Sequence, residues 1–295
     1  MGMKKFVVMS VTAEPWRYTV PAGMAARLWR WCGYAPVVLK YIEQDDHWGD
    51  VVPSRALAEL ESLGARIVPV PMFSAPLFMP ETESDENRHR RARFDAITAA
   101  RRYAAAMMFE PADYVMIGDA DMLMLRADYL QINRAKRFGS WGVDFFKHSL
   151  DRWPSCYQGA LSSVWREIMR PASDDIAAET IMHMVRTCPV VDDRGEKWCC
   201  ETGFGVELRN WSGYPDAIQK ETRGQYTYMG RLDYRHMYTP INPIDYHIRQ
   251  EWVKDAAWSC LHTHAVQIPE PVWSELDAYR NECLALAKES TDDGR

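Results

Sequence analysis

The residues of this 295-residue chain best suited to chemistry gather at Tyr114-Val-Met-Ile-Gly118-Asp119-Ala120-Asp121-Met122-Leu-Met-Leu125. Two carboxylates two residues apart stand where an apolar run ends, and Gly118 lets the backbone break so that both can face one spot. Hard divalent cations take such oxygens, and a cation is what neutralises a diphosphate. Far downstream, Cys260-Leu-His262-Thr-His264 puts two imidazoles on one side of an extended segment, and neutral imidazole is a good third ligand for Mn2+ beside carboxylates. Ahead of the motif runs a basic cluster, Arg88, Arg90, Arg91, Arg93, Arg101 and Arg102. On a helix Arg93, Arg101 and Arg90 fall near one side, where bidentate donors would suit a diphosphate. Most of the cluster reads as a solvated face balancing Glu81, Glu83, Asp85 and Glu86, with one arginine assigned to function.

These residues need elements to hold them. Phe6 to Val11 is a continuous apolar run that predicts a first strand, and Met24 to Trp31 has helical spacing until Gly33 stops it. Ala35 to Tyr41 predicts a second strand, Ser54 to Leu63 a helix closed at Gly64, and Ala65 to Val70 a third strand. Strands apolar on both faces and joined by helices imply a mostly parallel sheet covered on both sides, which places ligands beyond the carboxyl ends of its strands. Met72 to Asn87 reads as an exposed loop, Arg88 to Phe109 as a long helix, and Asp113 to Ile117 as the strand that delivers Asp119 and Asp121. Met122 to Leu125 and Gly139 to Phe146 follow as strands, Cys156 to Ile168 as a strand leading to a helix, and Asp174 to Arg186 as a helix. Beyond them come short segments rich in aromatics, with no linker or repeat at which to divide the chain. One α/β domain over 1–295 is expected, with a nucleotide- and metal-binding half over 1–126 and a site-completing half over 127–295.

Composition removes several classes. Thirty-five basic against 41 acidic side chains give a net charge of −6, and 47% of residues are hydrophobic. Disorder needs fewer apolar residues, and non-specific duplex binding usually a basic domain. Two lysines and a short apolar run at the start do not make a signal segment, and no run approaches a membrane span. The expected compartment is the cytoplasm, where seven cysteines are buried thiols by default.

An apolar strand, Asp119-Ala120-Asp121, an apolar continuation, an Arg-bearing helix before it and a β-α-β-α-β half together resemble the GT-A superfamily of nucleotide-sugar glycosyltransferases. The resemblance implies a GT-A-like fold and a hexosyl-type transferase (EC 2.4). Such an enzyme takes a nucleoside-diphosphate sugar, a UDP-sugar most often, with Mn2+ or Mg2+. It implies that Asp121 binds the metal directly while Asp119 meets the ribose and the metal shell, Ala120 lying between them in the nucleotide site. Thr12 and Tyr18, after the first strand, match the loop that holds the base, and Arg101 or Arg102 the basic residue that touches the phosphates. The family's C-terminal His ligand falls on His264 or His262, His264 being preferred beside the Pro-rich tail; its His-x-x-Gly-x-x-Lys-Pro-Trp form is not reproduced. Glu201, after Trp198, matches the carboxylate that acts as general base in inverting members, with Asp192, Asp193 and Asp144 as substitutes. Retention and inversion both stay open. The acceptor is a glycan, a small molecule or a nucleic acid, to be met by the aromatic second half.

A DNA- or RNA-modifying transferase is one alternative, since the arginine cluster could supply phosphate contacts locally, and three others stand beside it. A sugar-nucleotide nucleotidyltransferase would carry a Gly-rich loop after the first strand, and Ser10-Val-Thr-Ala-Glu-Pro-Trp-Arg17 has no glycine. A metal hydrolase would use Asp119, Asp121, His262 and His264. A zinc-stabilised binding module would use Cys188, Cys199, Cys200 and Cys260 with the two His, at spacings that match no common zinc knot.

Overall fold

The computed structural model describes residues 2–11, 20–43, 58, 60–72, 85–120, 122–124, 132–133, 135–141, 153, 155, 157–187, 199–220 and 231–233. Strand β1 (Lys5–Val11) leads to α1 (Val20–Trp31) and β2 (Ala35–Glu43), and a helical turn ending at Gly64 leads to β3 (Arg66–Met72). Gly33 and Gly64 have φ of +86° and +67°, the left-handed conformation that closes a helix and turns the chain into the next strand. Both stop signals expected from the sequence therefore act as such.

Helix α2 (Asp85–Met107) begins three residues earlier than expected, so Asp85 and Glu86 belong to its first turn and not to the acidic loop. Strand β4 (Tyr114–Gly118) and β5 (Met122–Met124) flank the Asp-x-Asp segment. Next come β6 (Phe138–Trp141), β7 (Tyr157–Leu161), α3 (Ser162–Met169), α4 (Ile176–Thr187) and α5 (Cys199–Arg209), and then β8 (Ile218–Lys220) and β9 (Arg231–Asp233). Asp175 caps α4, its Oδ1 accepting from the amides of Ala177 and Ala178 at 2.8 and 3.2 Å. Helix α5 was not expected, because Gly203 and Gly205 weaken helix propensity in its short stretch.

Seven strands form one sheet in the order β3-β2-β1-β4-β7-β6-β8. Pairings among β3, β2, β1 and β4 are parallel, as is β6 with β8, while β7 runs antiparallel to both neighbours. β5 pairs antiparallel with β9 in a separate ribbon, Met122 opposite Asp233. The expected α/β class with a mostly parallel sheet is what the chain adopts.

Alternation along the strands sends side chains to two covered faces. Val8, Val37, Leu39, Val115 and Ile117 join α2 residues Ile97, Ala100, Tyr103 and Ala104 in one core that extends to Trp165 of α3 and Phe204 of α5. On the other face Trp29 of α1 lies over Val7 and Gly118, where an added Cβ at Gly118 would stand 3.3 Å from the indole. Buried alanines along α2, from Ala99 to Ala106, let that helix lie close between the sheet and α3. Trp165 Nε1 donates to the Val115 carbonyl at 2.9 Å and Ser162 Oγ to the Ala105 carbonyl at 3.0 Å, which fixes α3 to both. Among the described residues no helix is long and apolar enough to cross a membrane.

Candidate functional site

Four parallel strands end on one edge, and β4, the middle strand of the seven-stranded sheet, delivers Asp119 there. The carboxylate does not stand alone. Arg101, six residues before the end of α2, donates through Nη1 to the Gly118 carbonyl and to Asp119 Oδ1, both at 2.6 Å, and through Nη2 to Ser155 Oγ at 3.2 Å. The Arg101 side chain is 2% exposed and that of Asp119 14%, so the pair sits under the rim with the carboxylate nearer to solvent. Asp119 Oδ2 takes no hydrogen bond from any described residue. Arg101 Nε likewise finds no partner among them.

Arg102, the next residue, turns to the second half of the chain. Its Nε donates to Gln158 Oε1 at 3.1 Å, its Nη1 donates to the Cys200 carbonyl, and its guanidinium lies 4.1 Å from the centroid of the Phe204 ring. Gln158 is fixed in turn by donating Nε2 to the Trp153 carbonyl at 3.3 Å. In the register of the sheet Gln158 stands opposite Ile117, two residues before Asp119. Complete burial pulls the Arg102 guanidinium down to about 10; the Cys200 thiol raises it, neighbouring Arg101 lowers it further, and Glu201 and Asp119 oppose the fall. It stays charged at neutral pH. Burial pushes the Cys200 thiol well up, with Asp95 and Glu201 adding to the rise, so this cysteine is an inert buried thiol of the kind expected.

Among the expected site residues, Asp119, Ala120, Arg101 and Glu201 are thus brought to one region. Ala120 is buried at the turn. Glu201 is half-buried in the first turn of α5, within electrostatic reach of Arg102, which also feels Asp119. The resemblance gives Arg101 to the phosphates of a nucleotide; in the structure its Nη donors meet Gly118, Asp119 and Ser155 of the chain itself. Arg101 and Arg102 are both buried, so neither belongs to the solvated face expected for most of the basic cluster. Thr12, Tyr18, Asp121, Asp144, Asp192, Asp193, His262 and His264 lie outside the described residues. So do the side chains of Arg88, Arg90, Arg91 and Arg93. Among the described residues no group of three or more His, Cys, Asp and Glu side chains could hold a metal ion.

Sequence reasoning missed Ser155, Gln158 and the Cys200 carbonyl. A glutamine inside the apolar run Tyr157-Gln-Gly-Ala-Leu161 was the one available signal, since a polar side chain buried in a strand needs partners. A surface depression lined by Pro111, Ser162, Ser163, Arg166 and Glu167 lies at the amino ends of the parallel strands, on the edge away from Asp119.

No family model matches the chain, and no curated protein matches it. Among solved structures, the glycosyltransferase GlyE of Streptococcus pneumoniae TIGR4 superimposes with a TM-score of 0.45 at 12% identity, over 97% of this chain and 64% of that one. Glucosyl-3-phosphoglycerate synthase from Mycobacterium tuberculosis, in complex with Mn2+, UDP and phosphoglyceric acid, gives a TM-score of 0.32 at 15% identity, over 63% of this chain and 65% of that one. The chain spans less than two-thirds of the length of either structure. At such scores the likeness is one of general outline.

Proposed function

We propose that the protein is a metal-dependent glycosyltransferase that moves a hexosyl group from a nucleoside-diphosphate sugar, a UDP-sugar in the first instance, to a hydroxyl acceptor. The observation that carries the reading is Asp119 at the carboxyl end of β4, the middle strand of the sheet, braced by Arg101 and followed after one residue by Asp121. Ligands of such sheets bind beyond that edge.

The donor set fits a hard divalent cation in kind. Asp119 keeps Oδ2 free of described partners while Oδ1 is paired with Arg101. A carboxylate half-neutralised by a guanidinium is a weaker metal ligand than a free one, and it is well oriented to accept a ribose hydroxyl. That division supports Asp121 as the direct ligand, Asp119 as the ribose and metal-shell residue, and His264 or His262 as the third ligand. The cation, when bound, supplies neutralisation of the charge on the departing diphosphate.

The chain's own residues do the rest in this reading. Thr12 and Tyr18 hold the base, Ala120 lies against the nucleotide, and Arg101 keeps Asp119 from swinging away. Glu201 takes the proton of the acceptor hydroxyl as that oxygen attacks the anomeric carbon. Both halves of the chain contribute, so 1–295 acts as one catalytic unit. Incubation with Mn2+ and a panel of nucleotide sugars tests the proposal. Slow hydrolysis that releases free nucleotide, and that Asp121→Ala abolishes, is expected; a full panel left intact by the wild type would refute it.

A further inference from the structure

A fully buried arginine is costly, and an apolar side chain of similar size would fill the same space at less expense. Arg102 nevertheless stands at the junction of α2, β7 and α5, with Nη2 lacking any partner among the described residues. What it joins is informative. Its neighbour Arg101 holds the turn after β4, in the first half of the chain. Arg102 holds Gln158 of β7 and the carbonyl of Cys200, in the second half, and stacks on Phe204 one turn further along α5. Cys200 immediately precedes Glu201. Because α2 is a single continuous helix, two consecutive side chains fix the spacing between Asp119 and the amino end of α5.

We propose that Arg102 is a positioning residue: by gripping the Cys200 carbonyl and Gln158 together it sets Glu201 at a fixed distance from the Asp119 turn. The inference rests on the transferase reading with Glu201 as base. A planar fork is needed, since one edge must reach the amide oxygen of Gln158 and another the backbone of α5; a lysine keeps the charge and reaches one of them. Small displacements of a base from its substrate cost a large part of the rate without touching donor binding.

The test is a cycle in turnover. Arg102→Lys and Glu201→Gln are made singly and together. Mn2+-dependent hydrolysis of the nucleotide sugar best cleaved by the wild type is followed, and UDP affinity with Mn2+ is measured by calorimetry. Arg102→Lys is expected to lower kcat about 10- to 100-fold in the wild-type background and less than about twofold in the Glu201→Gln background, since residues acting as a unit are not additive. UDP affinity is expected to stay within about threefold throughout, with Gln158→Met giving a smaller loss in the same direction. Equal losses in both backgrounds would overturn the proposal, as would weakened UDP binding with kcat intact. If the wild type binds no UDP and cleaves no nucleotide sugar, the transferase reading itself falls. Amide hydrogen exchange then judges the grip alone: faster exchange over 200–203 in Arg102→Lys, with β1 and β4 unchanged, supports it, and unaltered exchange there overturns it.

Discussion

Removing the Arg101 side chain should uncouple the Asp-x-Asp turn from the sheet, and the size of the effect follows from its contacts. Arg101→Met loses charge-assisted hydrogen bonds to the Gly118 carbonyl and Asp119 Oδ1, both 2.6 Å long, and a bond to Ser155 Oγ. Breaking a buried pair by deleting one partner costs about 3–5 kcal/mol, chiefly through the charge left behind. Asp119 is 14% exposed and can recover some water, which puts the loss near the lower end, about 3 kcal/mol. Asp119→Asn keeps an acceptor for Arg101 and removes the charge, a loss of about 1.5 kcal/mol. In the double variant no carboxylate is stranded, so the total should stay at about 3 kcal/mol, a coupling of about 1.5 kcal/mol. Urea unfolding of the four proteins, compared at equal m-values, measures it. Losses that add to within about 0.5 kcal/mol would refute the claim that the two side chains act together.

Two further perturbations probe the frame around the site. Gly203 faces Thr187 across the α4–α5 contact, where an added Cβ would stand 2.5 Å from the threonine Cβ; Gly203→Ala should cost about 1–3 kcal/mol in chemical unfolding, and an unchanged midpoint would mean the two helices are not in contact. His183 is buried beneath Tyr103 and faces Glu207, Arg102 and Arg186. Burial lowers its pKa below the usual 6.5, the Glu207 carboxylate 3.8 Å from Nδ1 opposes that fall, and Arg102 reinforces it. The unfolded chain then binds the proton more tightly, so stability present above pH 6.5 is lost as pH falls below it. Unfolding midpoints between about pH 6.5 and 5 should slope downward in the wild type and flatten in His183→Gln, whereas equal slopes would contradict the account.

The first half of the chain was largely legible because its signals are local. Gly33 and Gly64 mark the helix ends, the apolar runs mark β1 to β3, and the glycine before Asp119 marks the break at the edge of the sheet. The alternation of strand and helix made the parallel half legible, but the direction of β7 was not, since no helical crossover marks it, and its antiparallel insertion emerges only from pairing. Helix α5 was hidden by its glycines, which serve close packing against α4 at the expense of propensity. Within the site, the carboxylates announced themselves through spacing. The partners of Arg101 and Arg102 did not, because Ser155, Gln158 and a backbone carbonyl lie 54 to 98 residues away in sequence and meet only after folding. The charge of the arginines drew attention to them as donors to a bound phosphate, whereas the contacts of these two buried side chains are with the chain itself.

The most direct test of the central claim is calorimetric titration of UDP into the wild type and Asp121→Ala, each with and without Mn2+. The account predicts that the wild type binds UDP at least about 10-fold more tightly with Mn2+, a difference of about 1.4 kcal/mol, and that Asp121→Ala loses this dependence while remaining folded. UDP binding that ignores Mn2+ in the wild type, or no binding at all, would contradict it.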